Sequence, residues 1–403
     1  MKIKFCRLCK TKNLETVSSL GNMHFTGIFP KSKKTPIPKG KLKLVRCKRC
    51  SLLQLENNFD SNLMYGENYG YMSSLNQAMK FHLELKKRYL LETYNLRKGN
   101  LILDIGSNDG TFLQFFDKGF ELFACDPTIR KFKKFYRKDI KTTADFFSAD
   151  KFDNFKFDLI TSIAMFYDLP DPLKFAKDIE SLLTNEGIWH VEMSYMPSMI
   201  NSRSYDTICH EHLEYYSIRS IKFLTDLSNL KIVNISFNQI NGGSFSLDIA
   251  KNSSSYEEDK TLLNWLLLRE KLLQFNNLKT QKIFFNNIKK QKLLLFNLIK
   301  KLRSKGKKIC GYGASTKGNV ILQYCGLTEK HLDCIFEVNP FKFNRFTPGS
   351  KIRILPERYL KKIKPDYLLV LPWHFKEHII TKEKNFLDKG GKLIFPLPEI
   401  EII

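Results

Sequence analysis

The apolar positions of this chain gather into short runs that close on an acid or a glycine, separated by stretches of helical spacing. LILDIG (101–106) is such a run, with Asp104 and Gly106 at its end. ELFACD (121–126) repeats the pattern and ends in Asp126, and FDLITSIA (157–164) and GIWHVEMS (187–194) follow. Residues 171–183, between the last two, read as a helix. Strand-like runs alternating with helices predict a doubly wound, mostly parallel sheet over residues 61–254. A second α/β unit opens at KKICGYGASTKGN (307–319), a strand, a glycine turn and a helix start. DCIFEVN (333–339), DYLLVLPW (366–373) and GGKLIFPLP (390–398) supply its further strands. Residues 255–305 carry Leu and Phe on a Lys- and Asn-rich background and predict a packed helical connector. The expected fold is α/β, with a Rossmann-like domain over 61–254 and another over 306–403.

Residues 1–60 follow a different rule. Two C-x-x-C pairs, Cys6 with Cys9 and Cys47 with Cys50, flank a Pro- and Lys-rich stretch. Each pair sets two thiolates on one tight turn, and two such turns complete the tetrahedron of a structural zinc ion with no position left open for catalysis. Two unrelated reduced pairs are the alternative. The other five of the nine cysteines are scattered, which suits a reducing compartment rather than a disulfide scaffold.

Composition changes the picture little. A hydrophobic content of 43% can fill real cores. No apolar run approaches the roughly 18 residues of a membrane span, and MKIKFCRLCK is followed by no apolar stretch, so no secretory signal is read there. A soluble, cytoplasmic protein is expected. The net charge of +25 raises nucleic acid as a partner, but the basic residues are spread in short clusters along the whole chain. A nucleic-acid interface and membrane insertion are therefore not expected. A positive field also attracts a diphosphate-bearing small molecule.

The candidate chemistry begins at the turn Asp104-Ile105-Gly106-Ser107-Asn108-Asp109-Gly110. Its glycines allow a sharp turn and close approach of a ligand. The turn is not G-x-G-x-x-G, because Asn108 stands at the second glycine's place. Asp104 can face a cationic ligand, and Asp126, 22 residues on, can accept from ribose hydroxyls. The pair suits a sulfonium-bearing nucleoside better than a dinucleotide, and a nicotinamide enzyme stays as the alternative. The densest cluster is NSRSYDTICHEHLEYYS (201–217), where His210, Glu211 and His212 stand between Asp206 and two tyrosines. It admits three readings: a His-x-His metal site, a buried hydrogen-bonded cluster, or a general base with a carboxylate partner.

Many of these motifs, in the same order, resemble the sugar C-methyltransferases that act on nucleotide-linked 4-keto-6-deoxyhexoses. The resemblance spans nearly the whole chain. It rests on the Cys pairs, YGYMSSLNQAMKFH (69–82), DIGSNDGTFL (104–113), YDTICHEHLEYYS (205–217), NGGSF (241–245), GYGASTKGN (311–319), NPFKFNRFTPGSKI (339–352), LVLPWHFKEHII (369–380) and GGKLIFPLPE (390–399). It implies an N-terminal zinc domain held by Cys6, Cys9, Cys47 and Cys50, and a class I methyltransferase domain binding S-adenosylmethionine through Asp104, Gly106, Asn108, Gly110 and Asp126. Asp145 is a candidate partner for the adenine. It further implies His212 as catalytic base beside Glu211 and His210, with Tyr71 lining the sugar site. The C-terminal domain would hold the nucleotide of the sugar, and there Lys317 and Asn319 are chosen on physical grounds as the contacts. Two positions depart from the usual pattern: Cys209 replaces a tyrosine, and 165–168 lacks a histidine. Both face the sugar in the family, which points to a different acceptor and leaves oxygen methylation as the nearest alternative. A non-catalytic partner of a sugar-pathway enzyme is the alternative from another class.

Overall fold

The computed structural model describes residues 1–65 and 69–403. The N-terminal cysteines sit at the ends of antiparallel strands β1 (Leu14–His24), β2 (Lys39–Cys47) and β3 (Leu53–Leu55). The reading of residues 1–60 from their cysteines alone did not anticipate this sheet.

The central domain contains β4 (Leu101–Ile105), β5 (Glu121–Cys125), β6 (Lys141–Thr143), β7 (Phe157–Ile163), β8 (Leu183–Ser194), β9 (Glu214–Tyr215), β10 (Leu230–Asn238) and β11 (Ser244–Lys251). Seven of them form one sheet in the order β10-β11-β8-β7-β4-β5-β6. β4, β5, β6, β7 and β8 are parallel, whereas β11 and β10 add an antiparallel edge. The four apolar runs of the sequence are thus β4, β5, β7 and β8, with β8 starting four residues earlier than its run. The helix Pro172–Leu182 before it is capped by Asp171, whose carboxylate accepts from the Lys174 N–H at 3.1 Å. β4 is buried on both faces, as a parallel strand covered by helices requires.

β9 belongs elsewhere. This two-residue strand pairs antiparallel with β3 and completes the four-stranded sheet of the N-terminal region. The third sheet runs β14-β13-β12-β15-β16-β17, from β12 (Ile309–Tyr312), β13 (Ile335–Glu337), β14 (Ile354–Pro356), β15 (Tyr367–Val370), β16 (Lys392–Phe395) and β17 (Glu401–Ile402). All its pairings are parallel except β16 with β17. Helices Lys260–Leu272 and Leu278–Ser304 join the two α/β units, and Phe284, Phe285, Ile288, Leu295 and Ile299 of the second are buried against β12 and its neighbours.

The cores are continuous. Leu42, Leu44 and Leu53 of the N-terminal sheet share one apolar cluster with Ile309, Val320 and Leu369 of the C-terminal unit. The four cysteines and Leu52 share another with Ile105, Phe166, Trp189 and Tyr216 of the central domain. Among the described residues no helix is long and apolar enough to cross a membrane.

Candidate active site

Cys6 and Cys9 occupy one knuckle, Cys47 and Cys50 the other. The Cys6 and Cys50 sulfurs lie 3.6 Å apart, those of Cys9 and Cys47 3.4 Å apart, and all four fall within 4.8 Å of one another. A tetrahedral ion with zinc–sulfur bonds of about 2.3 Å needs sulfur spacings of roughly 3.8 Å, so the cluster fits zinc. Each knuckle continues into a residue of positive φ, Lys10 at 56° and Ser51 at 66°. Each of those residues donates its N–H to the carbonyl of the first cysteine of its pair. Gln54 Nε2 donates to the Cys6 sulfur at 3.3 Å.

The S-adenosylmethionine turn lies at the carboxyl end of β4, beside the point where the strand order reverses, which is where open α/β sheets bind ligands. Gly106 and Gly110 both have φ of 76°, and a Cβ on Gly106 would stand 2.7 Å from the Met165 side chain. Asp104 is buried, accepts from the Thr161 hydroxyl at 2.6 Å, and is pushed up to about 7 by burial. Asn108 donates its N–H to Asp126 Oδ2 at 2.9 Å, and Asp126 Oδ1 accepts from the N–H and hydroxyl of Thr128. The segment carrying Tyr71 is strapped across this turn. Asn108 accepts from the Ser73 N–H and donates to the Tyr71 carbonyl, while Asp109 accepts from the Ser74 N–H. Asn339 of the C-terminal unit holds the same strap by donating to the Gly70 carbonyl at 2.6 Å. Asp145, the candidate for the adenine, follows β6. Its side chain is half exposed, ion-paired to Lys151 at 2.8 Å, and turned onto the Phe146 N–H.

The His-Glu-His segment separates into three environments. His210 is fully buried among N-terminal residues, its ring 4.7 Å from that of Phe25 and 4.9 Å from that of Phe59, with Nε2 3.2 Å from the Gly40 carbonyl. Burial lowers it to about 4. His212 faces the other way, 4.3 Å from the Tyr167 ring. The two rings therefore do not share a metal ion, and His210 is a packing residue rather than a catalytic one. Glu211 accepts from the Thr26 hydroxyl at 3.2 Å, and its carboxylate closes so tightly on Gly27 that a Cβ there would stand 2.6 Å away. Burial raises its carboxyl above the usual range.

His212 is oriented by one bond. Its Nδ1 lies 2.7 Å from the Thr207 carbonyl. A carbonyl only accepts, so Nδ1 carries the proton and Nε2 presents a lone pair. Nε2 makes no hydrogen bond among the described residues. Burial and then the Lys317 charge lower the imidazole to about 3, which keeps it in its proton-accepting form. Three further polar atoms of this region are buried without a hydrogen-bond partner among the described residues: Asp168 Oδ1, Asp206 Oδ1 and His374 Nδ1. Asp168 holds the Tyr65 hydroxyl at 2.6 Å with its other oxygen, and Asp206 accepts from the Trp373 indole at 2.9 Å. Cys209 is fully buried beside Glu211.

Both C-terminal residues expected at the nucleotide make hydrogen bonds to other regions of the chain. Asn319 is fully buried, and its amide donates to the Thr26 carbonyl at 2.7 Å, so it ties the C-terminal helix to the N-terminal region. Lys317 reaches into the central domain and donates to the Asn241 carbonyl at 2.7 Å. Thr207, Trp373 and Asn241, which the structure brings into this region, were not singled out from the sequence. The only signal was their presence in motifs already quoted, because Asp206 meets Trp373 across 167 positions of chain.

Three family descriptions match the chain in succession. Residues 6–65 match "Putative zinc binding domain", residues 77–235 match "Methyltransferase domain", and residues 239–398 match "C-methyltransferase C-terminal domain". The chain is 26% identical to the C-methyltransferase NovU of Streptomyces niveus over 409 residues, covering 99% of this chain and 96% of that protein. Among solved structures, an S-adenosylmethionine-dependent methyltransferase from Clostridium acetobutylicum aligns over 43% of this chain and 91% of its own, with TM-score 0.33 and 12% identity. The plantazolicin methyltransferase BpumL aligns over 43% of this chain and 84% of its own, with TM-score 0.35 and 16% identity. With its cysteine cluster, its strand-end glycine turn and all three matches in order, the chain is similar along nearly its whole length to zinc-containing, S-adenosylmethionine-dependent C-methyltransferases.

Proposed function

We propose that the protein C-methylates a nucleotide-linked keto-deoxysugar, with His212 as the general base. The observation that carries this reading is the state of His212: proton on Nδ1, bonded to the Thr207 carbonyl, and a lone pair on Nε2 with no hydrogen-bond partner among the described residues. Carbon is a poor nucleophile until a proton next to a carbonyl is removed. His212 takes that proton, and the pair of electrons left behind forms an enolate. S-adenosylmethionine supplies the electrophilic methyl group that the enolate carbon captures. A base so placed contributes on the order of 10²–10⁴-fold, and fixing both reactants adds more.

The sugar is inferred from the resemblance to sugar C-methyltransferases and from the unpaired atoms of Asp168, Asp206 and His374, which suit a ligand rich in hydroxyls. Asp104 and Asp126 anchor the two ends of the cofactor, and Tyr71 rides on the strap beside them.

The test is a panel of nucleotide-linked 4-keto-6-deoxyhexoses scored by mass spectrometry and NMR. Wild type, given S-adenosylhomocysteine in place of the methyl donor, should exchange the sugar's C3 proton with deuterated water. His212→Asn should lose exchange and methylation while keeping its affinity for S-adenosylmethionine. A product methylated on oxygen, formed without exchange at carbon, overturns the carbon-transfer reading. Donor binding with no turnover of any sugar points instead to a non-catalytic partner.

A further inference from the structure

The C-terminal unit carries a glycine turn at the end of a parallel strand, with its polar side chains already engaged. Its glycine turn follows β12, and Gly313 has φ of 79° as such a turn requires. The acid at the end of the neighbouring strand is the residue that normally reaches a ribose. Here that acid is Glu337, and it is already engaged. It accepts from the Ala314 N–H at 2.9 Å and from the N–H groups of Val338 and Asn339, with Lys342 at 3.7 Å. The helix Thr316–Cys325 then carries Lys317 out of this unit and onto the Asn241 carbonyl of the central domain.

Lys317 arrives among the groups around the base. Asn241 precedes Gly242, on which a Cβ would lie 3.1 Å from the Trp373 ring and 3.4 Å from the Ser204 hydroxyl. Trp373 bonds Asp206, and the next residue, Thr207, holds His212. Lys317, Asp206, Trp373 and His212 thus form one contiguous group assembled from two domains. An ammonium has three N–H donors, and Asn241 takes one. Burial lowers the lysine's pKa while the Asp206 carboxylate opposes that shift.

We propose that Lys317 is the electrophilic catalyst: its ammonium donates a hydrogen bond to the acceptor's carbonyl oxygen and holds the charge that develops there as His212 removes the neighbouring proton. This rests on the carbon-methylation reading above. In the step, the C–H bond breaks and its proton goes to His212 Nε2. Its electron pair becomes the C=C bond of the enolate, and the carbonyl π pair moves onto the oxygen bonded to Lys317. When the carbon–methyl bond forms, the donor's S–CH3 bond breaks with its electron pair staying on sulfur, so that S-adenosylhomocysteine leaves; the carbonyl is restored, the lysine keeps all its protons, and His212 returns its proton to solvent. A fixed cation facing a developing oxyanion in a desolvated site is an effective form of transition-state stabilisation.

The experiment compares Lys317→Met, Lys317→Arg and Lys317→Ala with wild type on the panel sugar that wild type methylates. Lys317→Met should lower kcat on the order of 10²–10³-fold, with an equal loss of proton exchange in the presence of S-adenosylhomocysteine. KM for the sugar and affinity for S-adenosylmethionine should change by a few-fold at most. Lys317→Ala should be partly rescued by ethylammonium, and zinc content should stay at the wild-type level in every variant. Direct binding of dTDP, UDP, CDP and GDP, which lack the keto-sugar and its reacting carbonyl, should be the same for wild type and Lys317→Met. If Lys317→Met instead retains kcat and exchange but loses nucleoside-diphosphate binding, the lysine is a phosphate anchor and the proposal is overturned. Equal rates for Lys317→Ala and wild type overturn it as well. Failure of the underlying reading looks different, because wild type itself then exchanges no carbon-bound proton on any sugar, and this assignment falls with it.

Discussion

At the scale of single residues, Asp104 shows how burial writes a ligand's charge into a site. It is 4% exposed, bonds only the Thr161 hydroxyl among the described residues, and sits near 7 instead of the usual carboxylate value near 4. In the free protein near neutral pH it is therefore partly protonated. A cationic ligand favours the ionised form and drives the proton off. Binding of S-adenosylmethionine at pH 6.5 should release a fraction of a proton, seen by calorimetry in buffers of different ionisation enthalpy. Affinity should weaken as pH falls below about 7, because the acid then holds its proton in the free state. Asp104→Asn should abolish both effects. The sequence singled out Asp104, Gly106 and Asp126 because a strand end and a glycine turn are local patterns, and the structure places them at the ends of β4 and β5. It could not disclose that Thr207 fixes the His212 tautomer through a backbone carbonyl, which any residue type supplies. Nor could it show that Asp145 spends its carboxylate on Lys151.

At the scale of elements, the His-Glu-His segment is moored to the N-terminal cysteine region. β9 pairs with β3, and Glu214 of β9 meets the Arg7 guanidinium, which lies between Cys6 and Leu8, at 3.4 Å. Both side chains are almost fully buried, and Arg7 also donates to the Leu55 and Asn57 carbonyls. Burial pushes the Glu214 carboxyl well above its ordinary range, with Arg7 opposing. Arg7→Met strands an acid and two carbonyls, and should cost roughly 3 kcal/mol in denaturant unfolding. Glu214→Gln, which keeps the shape and drops the charge, should cost about 1 kcal/mol or less. The reverse ranking would show that the ion pair does not secure β9. Strands β4, β5, β7 and β8 were legible because apolar runs closing on acids or glycines are a local signature. The edge strands β10 and β11 were not read, although LKIVNISFN and SFSLDIAK both have strand-forming composition. Assigning β9 to the N-terminal sheet was beyond any pattern, since two residues carry no period.

At the scale of the whole molecule, the three regions share cores instead of meeting at wet interfaces. Leu42 and Ile309 lie in one cluster, Cys6 and Trp189 in another. Buried amides add ties, such as Asn319 to the Thr26 carbonyl and Gln291 to the carbonyls of Pro396 and Pro398. Unfolding should accordingly be one cooperative transition in scanning calorimetry. Stripping zinc with a strong chelator should lower that single transition as a unit, since a ligand bound only by the folded state stabilises all that folds with it. A separate zinc-dependent transition of the first 60 residues would contradict this. The order of the three regions was readable from motif order; their interpenetration was not, because it depends on which apolar faces meet.

The mooring of β9 also sets a timetable for synthesis. β3 is complete at Leu55, but its partner β9 begins at Glu214. A ribosome adding 5–20 residues per second takes roughly 8–30 s to cover the intervening stretch of about 160 residues. Throughout that interval the nascent zinc region displays Leu53-Gln54-Leu55 as an open sheet edge, with Arg7 lacking its acid. An unpaired edge is a template for wrong pairing with other chains. The fold therefore has a vulnerable window during its birth, and it closes when the His-Glu-His segment leaves the ribosome and β9 takes its place on β3.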